Sequence, residues 1–288
     1  MPTTTNDPDL GLSVRLAVAG DRDAAQAVLV AIQDDVYGLA LRMLGERPAA
    51  EDAAQEILVQ VLTHLAQFRG DSSVRTWVYR IAVRHLARTR PTRFEELASF
   101  ETLTKLCEAG QTAHPLPELR EAELKVLERE LRLVCTEGML LSLDRDQRIA
   151  WILSEIFELD SERSADVLDI DPATFRKRLQ RARQRLGEWM GKNCGLVDPK
   201  NGCSCRRQIP VGIQAGVLDP EALQLARHPE RFRELPRSRR LPVIEGEIAA
   251  LDRCAQVLCE HPDYAVPELL AAKLRELVEG RVLALFDA

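Results

Sequence analysis

The stretch "DSERSADVLDIDPATFRKRLQRARQRL", residues 160–186, decides the reading of this chain. Asp160 or Ser161 can cap a helix of about two turns, because a short oxygen-bearing side chain satisfies the first unpaired amides. "DID" then makes a tight connection. Asp171-Pro172 follows, an N-cap acid with proline at the first helical position, where its fixed φ and missing N–H cost nothing. In the helix this predicts, Phe175, Leu179, Ala182 and Leu186 fall on one face at spacings of four, three and four. The other face carries Thr174, Lys177, Arg178, Arg181 and Arg185. A short helix, a tight turn and a second helix with a basic outward face form a helix-turn-helix, the arrangement that enters a major groove.

A solvated amphipathic helix is the plain alternative, but such faces interleave acids with bases, and between Ala173 and Lys192 only Glu188 interrupts seven cations. That concentration is notable in a chain of 288 residues with formal charge -6. A second basic island lies upstream, where seven arginines between Phe68 and Arg93 face Asp71 alone. The stretches 1–67 and 94–138 are acidic. Two islands on separate helical units, with an acidic connector, point to a bipartite contact with a polyanion. Affinity for such a partner should fall steeply with salt, with a slope of about -0.9 in log K per phosphate neutralised.

Upstream of the first island, "AAEDAAQEILVQVL" (49–62) sets Asp52, Gln55 and Glu56 on one helical face and Leu58, Val61 and Leu62 on the other. An acidic face beside a basic helix suits a protein partner that carries positive charge. "FRGDSS" then reads as a loop with serine as a cap, followed by "VRTWVYRIAVRHLARTR". There Arg80, Arg84 and Arg88 form an i, i+4, i+8 stripe, with Val74, Trp77, Val78 and Ile81 facing inward. Trp77 and Tyr79 each have a core reading and a base-stacking reading; the spacing of Trp77 favours the core.

Hydrophobic spacing is helical almost throughout, and no strand of period two stands out. Helices are expected at about 13–20, 22–44, 49–67, 73–89, 118–136, 144–158, 161–168, 172–190, 243–260 and 267–285. The segment 191–240, with its Pro, Gly and Cys, reads as irregular. The fold class is all-α: two helical domains joined by a linker, plus a small, mostly helical carboxy-terminal extension. The expected boundaries are 1–93, a linker at 94–137, 138–192 and the extension at 193–288. The first residues lack the basic start and apolar run of a signal peptide, and no apolar stretch is long enough to span a membrane. A cytoplasmic protein is expected, with no membrane partner.

"NCGLVDPKNGCSC" places Cys194, Cys203 and Cys205 at the spacing C-x8-C-x-C. Three thiols so close suit zinc if a fourth ligand arrives from elsewhere. His228, Cys254, Cys259 and His261 are available, and the spacing does not choose among them. A redox dithiol and inert thiols are the alternatives. Cys107 and Cys135 read as ordinary buried thiols.

Taken together, "AEDAAQEILVQVL" with "FRGDSSVRTWVYRIAVRHLARTR", and "LSLDRDQRIAWILSEIFELDSERSADVLDIDPATFRKRLQRARQRL", resemble the second and fourth conserved regions of bacterial extracytoplasmic-function sigma factors. The cysteine-bearing extension resembles that of a subgroup of them. The resemblance implies a factor, not an enzyme, that binds core RNA polymerase, selects promoters and helps open them. It implies that Glu51, Asp52, Gln55 and Glu56 dock on the polymerase, and that Arg75, Trp77, Arg80, Arg84 and Arg88 handle the −10 element and its unpaired strand. It further implies that Thr174, Lys177, Arg178 and Arg181 read the duplex −35 element. No cofactor is expected for promoter binding; zinc would sit only at the cysteine cluster. Control by an anti-sigma partner, or by the extension packing on the DNA-binding domains, completes the expected partners. The sequence departs from the pattern at Asp169, where glycine is usual in the turn, at Ser164 in place of an aliphatic residue, and at Leu58 where phenylalanine is frequent. A stand-alone helix-turn-helix regulator with a metal- or redox-sensing extension is the alternative. A metalloenzyme on the cysteines lacks a recognisable general base and a Gly-rich cofactor loop.

Overall fold

The computed structural model describes residues 8–112, 120–221, 223, 254, 257, 258 and 264–280. Among them the chain is all-α, with only an isolated bridge between Cys194 and Cys203 outside the helices. No helix among the described residues is long and apolar enough to cross a membrane. The chain clusters into two units, Met1–Arg93 with Ile152–Lys177 and Tyr264–Ala288, and Phe94–Trp151 with Arg178–Asp263.

The first unit is built round α2 (Arg22–Leu44), whose Val28, Leu29, Ile32, Val36 and Leu39 are buried. Asp21 starts it by accepting from the Ala24 amide at 2.9 Å. Gly45 ends it at φ 72°, a left-handed cap that only glycine adopts freely. Against α2 pack α1 (Pro8–Val18), α3 (Arg47–Thr63) and α4 (Val74–Arg88). Pro48 opens α3, and Ser73 caps α4 by accepting from the Thr76 amide at 3.1 Å.

α9 (Ser161–Leu168) packs on α4, and Phe157, just before it, stacks on Tyr79 with centroids 4.8 Å apart. The expected helix 144–158 proves to be α8 (Arg145–Trp151) continued by a π turn, Ile152–Ile156. Of the carboxy-terminal expectations, 243–260 falls largely outside the described residues, while 267–285 appears as α12 (Glu268–Glu279), packed on α2 and α3. Just before α12, the Tyr264 ring lies under the Arg42 guanidinium, 4.5 Å from its centroid, and the Val266 amide donates to Asp34.

Asp160 caps α9 by accepting from the Arg163 amide at 2.8 Å. Replacing it with alanine is expected to lower stability by about 1 kcal/mol, the usual worth of such a cap. Chemical denaturation of the full chain measures this, and an unchanged midpoint would contradict it.

The second unit contains α5 (Arg93–Leu97), α6 (Phe100–Thr112), α7 (Glu121–Leu141), α8, most of α10 (Pro172–Asn193) and α11 (Cys205–Gln214). Neither α6 nor α11 is anticipated by the sequence reading. Prolines flank α6 and Pro210 sits inside α11, so local signals indicate loop. Tertiary burial overrides them. Leu127 and Leu131 of α7 form a cluster with Ile209 of α11 and Leu218. Trp189 of α10 donates its indole N–H to the Thr104 hydroxyl at 2.9 Å and to the Phe100 carbonyl at 3.1 Å, which fixes α6.

Arg148 is 2 % exposed and donates to the carbonyls of Leu140, Leu141 and Leu143 and to Glu95. Glu95 also receives a two-pronged contact from Arg145, both arms 2.7 Å.

Candidate nucleic-acid interface

Helix α3 buries Ile57, Leu58, Val61 and Leu62, which turns its acidic side outward: Asp52 and Glu56 are exposed, Glu51 and Gln55 half-buried. α4 buries Val74, Val78, Tyr79, Ala82 and Leu86. Between the outer sides of these two helices runs a groove of about 740 Å³. Asp52 and Glu56 form one wall, Arg84 and Arg88 the other, with Trp77 and His85 between. His85 links the walls: its Nε2 stands 3.7 Å from Glu56 and its Nδ1 3.4 Å from the Gln60 amide.

Trp77 departs from its core expectation. It is half-buried at the margin of the α4 apolar face, meets Phe68 edge-on at 5.7 Å, and leaves the rest of its ring to the groove. Tyr79 does belong to the core, 3 % exposed against Phe157, with its hydroxyl donating to Asp35. Ile81 is likewise half-buried on the groove side. A half-exposed indole flanked by guanidinium groups offers a stacking face for an unpaired base and charge for its backbone.

The arginines expected to act with Trp77 divide into two sets. Arg84 and Arg88 are exposed. Arg75 is drawn inward into an ion pair with Asp35, tying α4 to α2. Arg80 pairs with the Asp166 carboxylate and donates from Nε to the Asp166 carbonyl at 3.2 Å. Arg84 faces Asp169 at a looser 3.8 Å. These pairings, and the presence of His85 and Gln60 in the groove, have no local signal, because each depends on contact between distant segments.

The helix-turn-helix forms as its sequence signals require. Asp169 adopts φ 56° and ψ 46°, so aspartate supplies the left-handed turn in place of glycine. Ser164 is fully buried, within 3.5 Å of the Leu159 carbonyl it donates to. Asp171 accepts from the Thr174 hydroxyl and, at 2.9 Å, from the Thr174 amide, and these hydrogen bonds hold its carboxyl below the usual range. Phe175, Leu179, Ala182 and Leu186 of α10 are all buried.

On the outer face Thr174 is thus tied to its cap. Arg178 pairs with Asp146 at 2.7 Å, and Arg185 donates to Gln147 at 3.1 Å beside Asp144. Lys177 and Arg181 stand exposed between them.

The thiols gather in the second unit. Cys194 and Cys203 meet at the isolated bridge, where the Gly195 amide donates to the Cys203 carbonyl at 3.1 Å and no Cβ would fit on Gly195. Hydrogen bonding from Cys107 of α6, with a smaller share from Gln208, outweighs burial and holds the Cys203 thiol below its ordinary range. Burial pushes the Cys135, Cys194 and Cys205 thiols up. Cys107 of α6 is a buried free thiol, as expected, and Cys135 of α7 is a free, half-buried one. Cys254 is described and buried; His228, Cys259 and His261 fall outside the described residues. Among the described residues, no three or more His, Cys, Asp and Glu side chains are set to hold a metal ion as they stand.

Comparison with known proteins places these surfaces in context. Residues 29–90 match the family described as Sigma-70 region 2, and residues 133–186 match Sigma-70, region 4. The chain is 31% identical over 169 residues to the ECF RNA polymerase sigma-E factor of Escherichia coli K12, covering 58% of this chain and 86% of that protein. It is 28% identical over 167 residues to the RNA polymerase sigma-H factor of Pseudomonas aeruginosa, with the same shares, 58% and 86%. A solved structure of CnrH in complex with the cytosolic domain of CnrY shares 18% identity, covering 64% of this chain and 98% of that one at a TM-score of 0.45, too slight a likeness to place any residue.

Proposed function

The chain belongs to the extracytoplasmic-function sigma factors of RNA polymerase, and on that premise we propose how its surfaces divide the work of initiation. As a sigma factor it binds core RNA polymerase and directs it to specific promoters. The acidic side of α3, with Glu51, Asp52, Gln55 and Glu56, docks on a basic surface of the polymerase. The Trp77 groove, with Arg84 and Arg88 on its rim, captures the unpaired strand of the −10 element: the indole stacks on a base and the guanidinium groups meet phosphate. Arg75 and Arg80 shape this helix and its setting. The outer face of α10 enters the major groove of the −35 duplex, with Lys177 and Arg181 leading and Thr174, Arg178 and Arg185 beside them.

The factor works by binding, with no covalent chemistry of its own and no cofactor needed at the promoter. It acts where the chromosome and polymerase are, in the cytoplasm. The observation that carries this reading is the groove itself, which joins an acidic wall for a protein and a cationic, aromatic wall for nucleic acid within one family-matched segment.

Transcription in vitro with core polymerase and a library of genomic fragments tests it. Discrete start sites that require the factor are expected. Asp52→Arg/Glu56→Arg should weaken association with core polymerase roughly tenfold or more, since each reversal converts a favourable charge contact into a repulsive one. A protein that binds duplex DNA but neither joins the polymerase nor directs it would overturn the proposal in favour of a stand-alone regulator.

A further inference from the structure

Helix α11, which lies beyond both family-matched segments, holds the chain that joins them. α6 and α7 both pack on α11, and on each other to a lesser extent. On α7 the contact is apolar and charged at once. Ile209 and Leu218 close over Leu127 and Leu131, with Leu124 and Ile213 packed at the edge. Gly212 permits a close approach, since a Cβ there would stand 2.8 Å from the Leu131 side chain. Arg206 reaches along α7 to Glu121, at 2.6 Å, and to Glu128.

On α6 the contact is narrower. Cys107 and Gly110 are the buried residues of this helix, and Gln208 meets both. Its amide donates to the Cys107 carbonyl at 3.0 Å, and its side chain fills the space that a Cβ at Gly110 would need. Trp189 anchors the start of α6, and α11 holds its end. α6 depends on such support. It has 13 residues, Thr102, Thr104, Gly110 and Thr112 among them, and an isolated helix of about 12–15 residues is marginal in water even with the best helix formers.

What this packing controls is reach. The −10 and −35 elements lie about 25 base pairs apart, or about 85 Å at about 3.4 Å per pair. A folded domain of about 100 residues is only about 30 Å across, so the chain between the parts that read them must bridge the difference. Unwound, the segment 94–132 extends to more than about 100 Å at about 3.3 Å per residue. Wound into α6 and the first half of α7 at about 1.5 Å per residue, and gathered on α11, it covers roughly a third of that at most.

We propose that α11 is an intramolecular clamp on the linker. Closed, it keeps the connection between the two promoter-reading parts short; it lets go when polymerase and promoter draw those parts to their separate elements. The inference rests on the two-element reading above. The clamp's partner is this chain's own segment 100–131, held by Arg206, Gln208 and Ile209. Closed molecules engage polymerase and both elements poorly, so apparent affinity falls as the closed fraction rises. Arg206 and Glu121 are about half exposed, and ion pairs of that kind give way at small cost.

Hydrogen exchange of the full chain, alone and bound to core polymerase on a promoter fragment, tests this. The amides of α6 should be protected in the free chain and exchange at least tenfold faster in the complex, while those of α2 stay protected. Ile209→Asp sets a charge in the apolar contact, so α6 should exchange faster in the free chain and affinity for core polymerase should rise roughly tenfold. Arg206→Glu should act in the same direction by about threefold, and its half-exposed site covers the case in which Ile209→Asp does not fold. Protection of α6 that survives in a transcribing complex, or variants that free α6 without any gain in polymerase affinity, would remove the clamp and leave the sigma-factor reading intact. A wild-type chain that brings polymerase to no start site would instead remove that reading, and this inference with it.

Discussion

Replacing Glu95 with alanine should destabilise the protein by about 3 kcal/mol, the lower end of the cost of stripping one partner from a buried ion pair. Its side chain is 9% exposed and is the carboxylate that answers both Arg145 and Arg148. Arg148 keeps three carbonyl acceptors and the nearby charge of Asp144 without it, which is why the lower end applies, but it loses the carboxylate that its guanidinium meets directly. In a thermal melt the loss corresponds to roughly 10 °C. Burial pushes the Glu95 carboxyl up, but hydrogen bonding from Arg145 and the charges of Arg148 and Arg145 more than reverse this and hold it below its ordinary 4.5. A carboxylate depressed in the folded state stabilises above its unfolded pKa and loses that contribution as pH falls through the folded value. The native chain should therefore lose stability on the acid side of about pH 4.5, and the alanine variant should show a flatter acid limb. Equal melts for both proteins at pH 7 would show that the network contributes nothing.

The second large effect belongs to DNA recognition. Lys177→Ala/Arg181→Ala removes two exposed cations from the α10 face, and specific binding to the −35 duplex should weaken roughly a hundredfold, on the basis of about 1–3 kcal/mol for each good base contact. If either side chain instead meets phosphate, the loss will be spread evenly over sequences, and the salt slope will fall by about one unit per contact. Titrations of cognate and scrambled duplexes at several salt concentrations distinguish the two. Wild-type affinity at every salt concentration would remove α10 from the interface. Arg178 and Arg185 should matter less in the free chain, because Asp146 and the Asp144–Gln147 turn already engage them.

How far the sequence could be read depended on whether the signals were local. The caps at Asp160 and Asp171, the proline at 172 and the apolar spacing from Phe175 to Leu186 all lie within a few residues of what they determine, and each is realised. The limits of α2 and the acidic and basic faces of α3 and α4 are local in the same way. α6 and α11 were hidden because their prolines speak for loop, while the burial that forms them comes from α7 and Trp189, remote in sequence. Trp77 shows a finer limit: helical spacing places a residue on a face but does not say how far the neighbouring helix covers it. The ion pairs of Arg75 and Arg80 follow only from the packing of distant segments.

The aspartates of α9 and its turn bear on how the factor tells a promoter from ordinary DNA. Asp166 pairs with Arg80 and Asp169 stands 3.8 Å from Arg84, so nucleic acid approaching these two side chains would meet a carboxylate already beside each. Scattered backbone charge gains little by that exchange, one carboxylate for one phosphate. On the proposed division of work, a stretch that engages both α10 and the Trp77 groove would recover the loss through contacts that random DNA cannot supply, and the acids would thereby act as a threshold against idle binding along the chromosome.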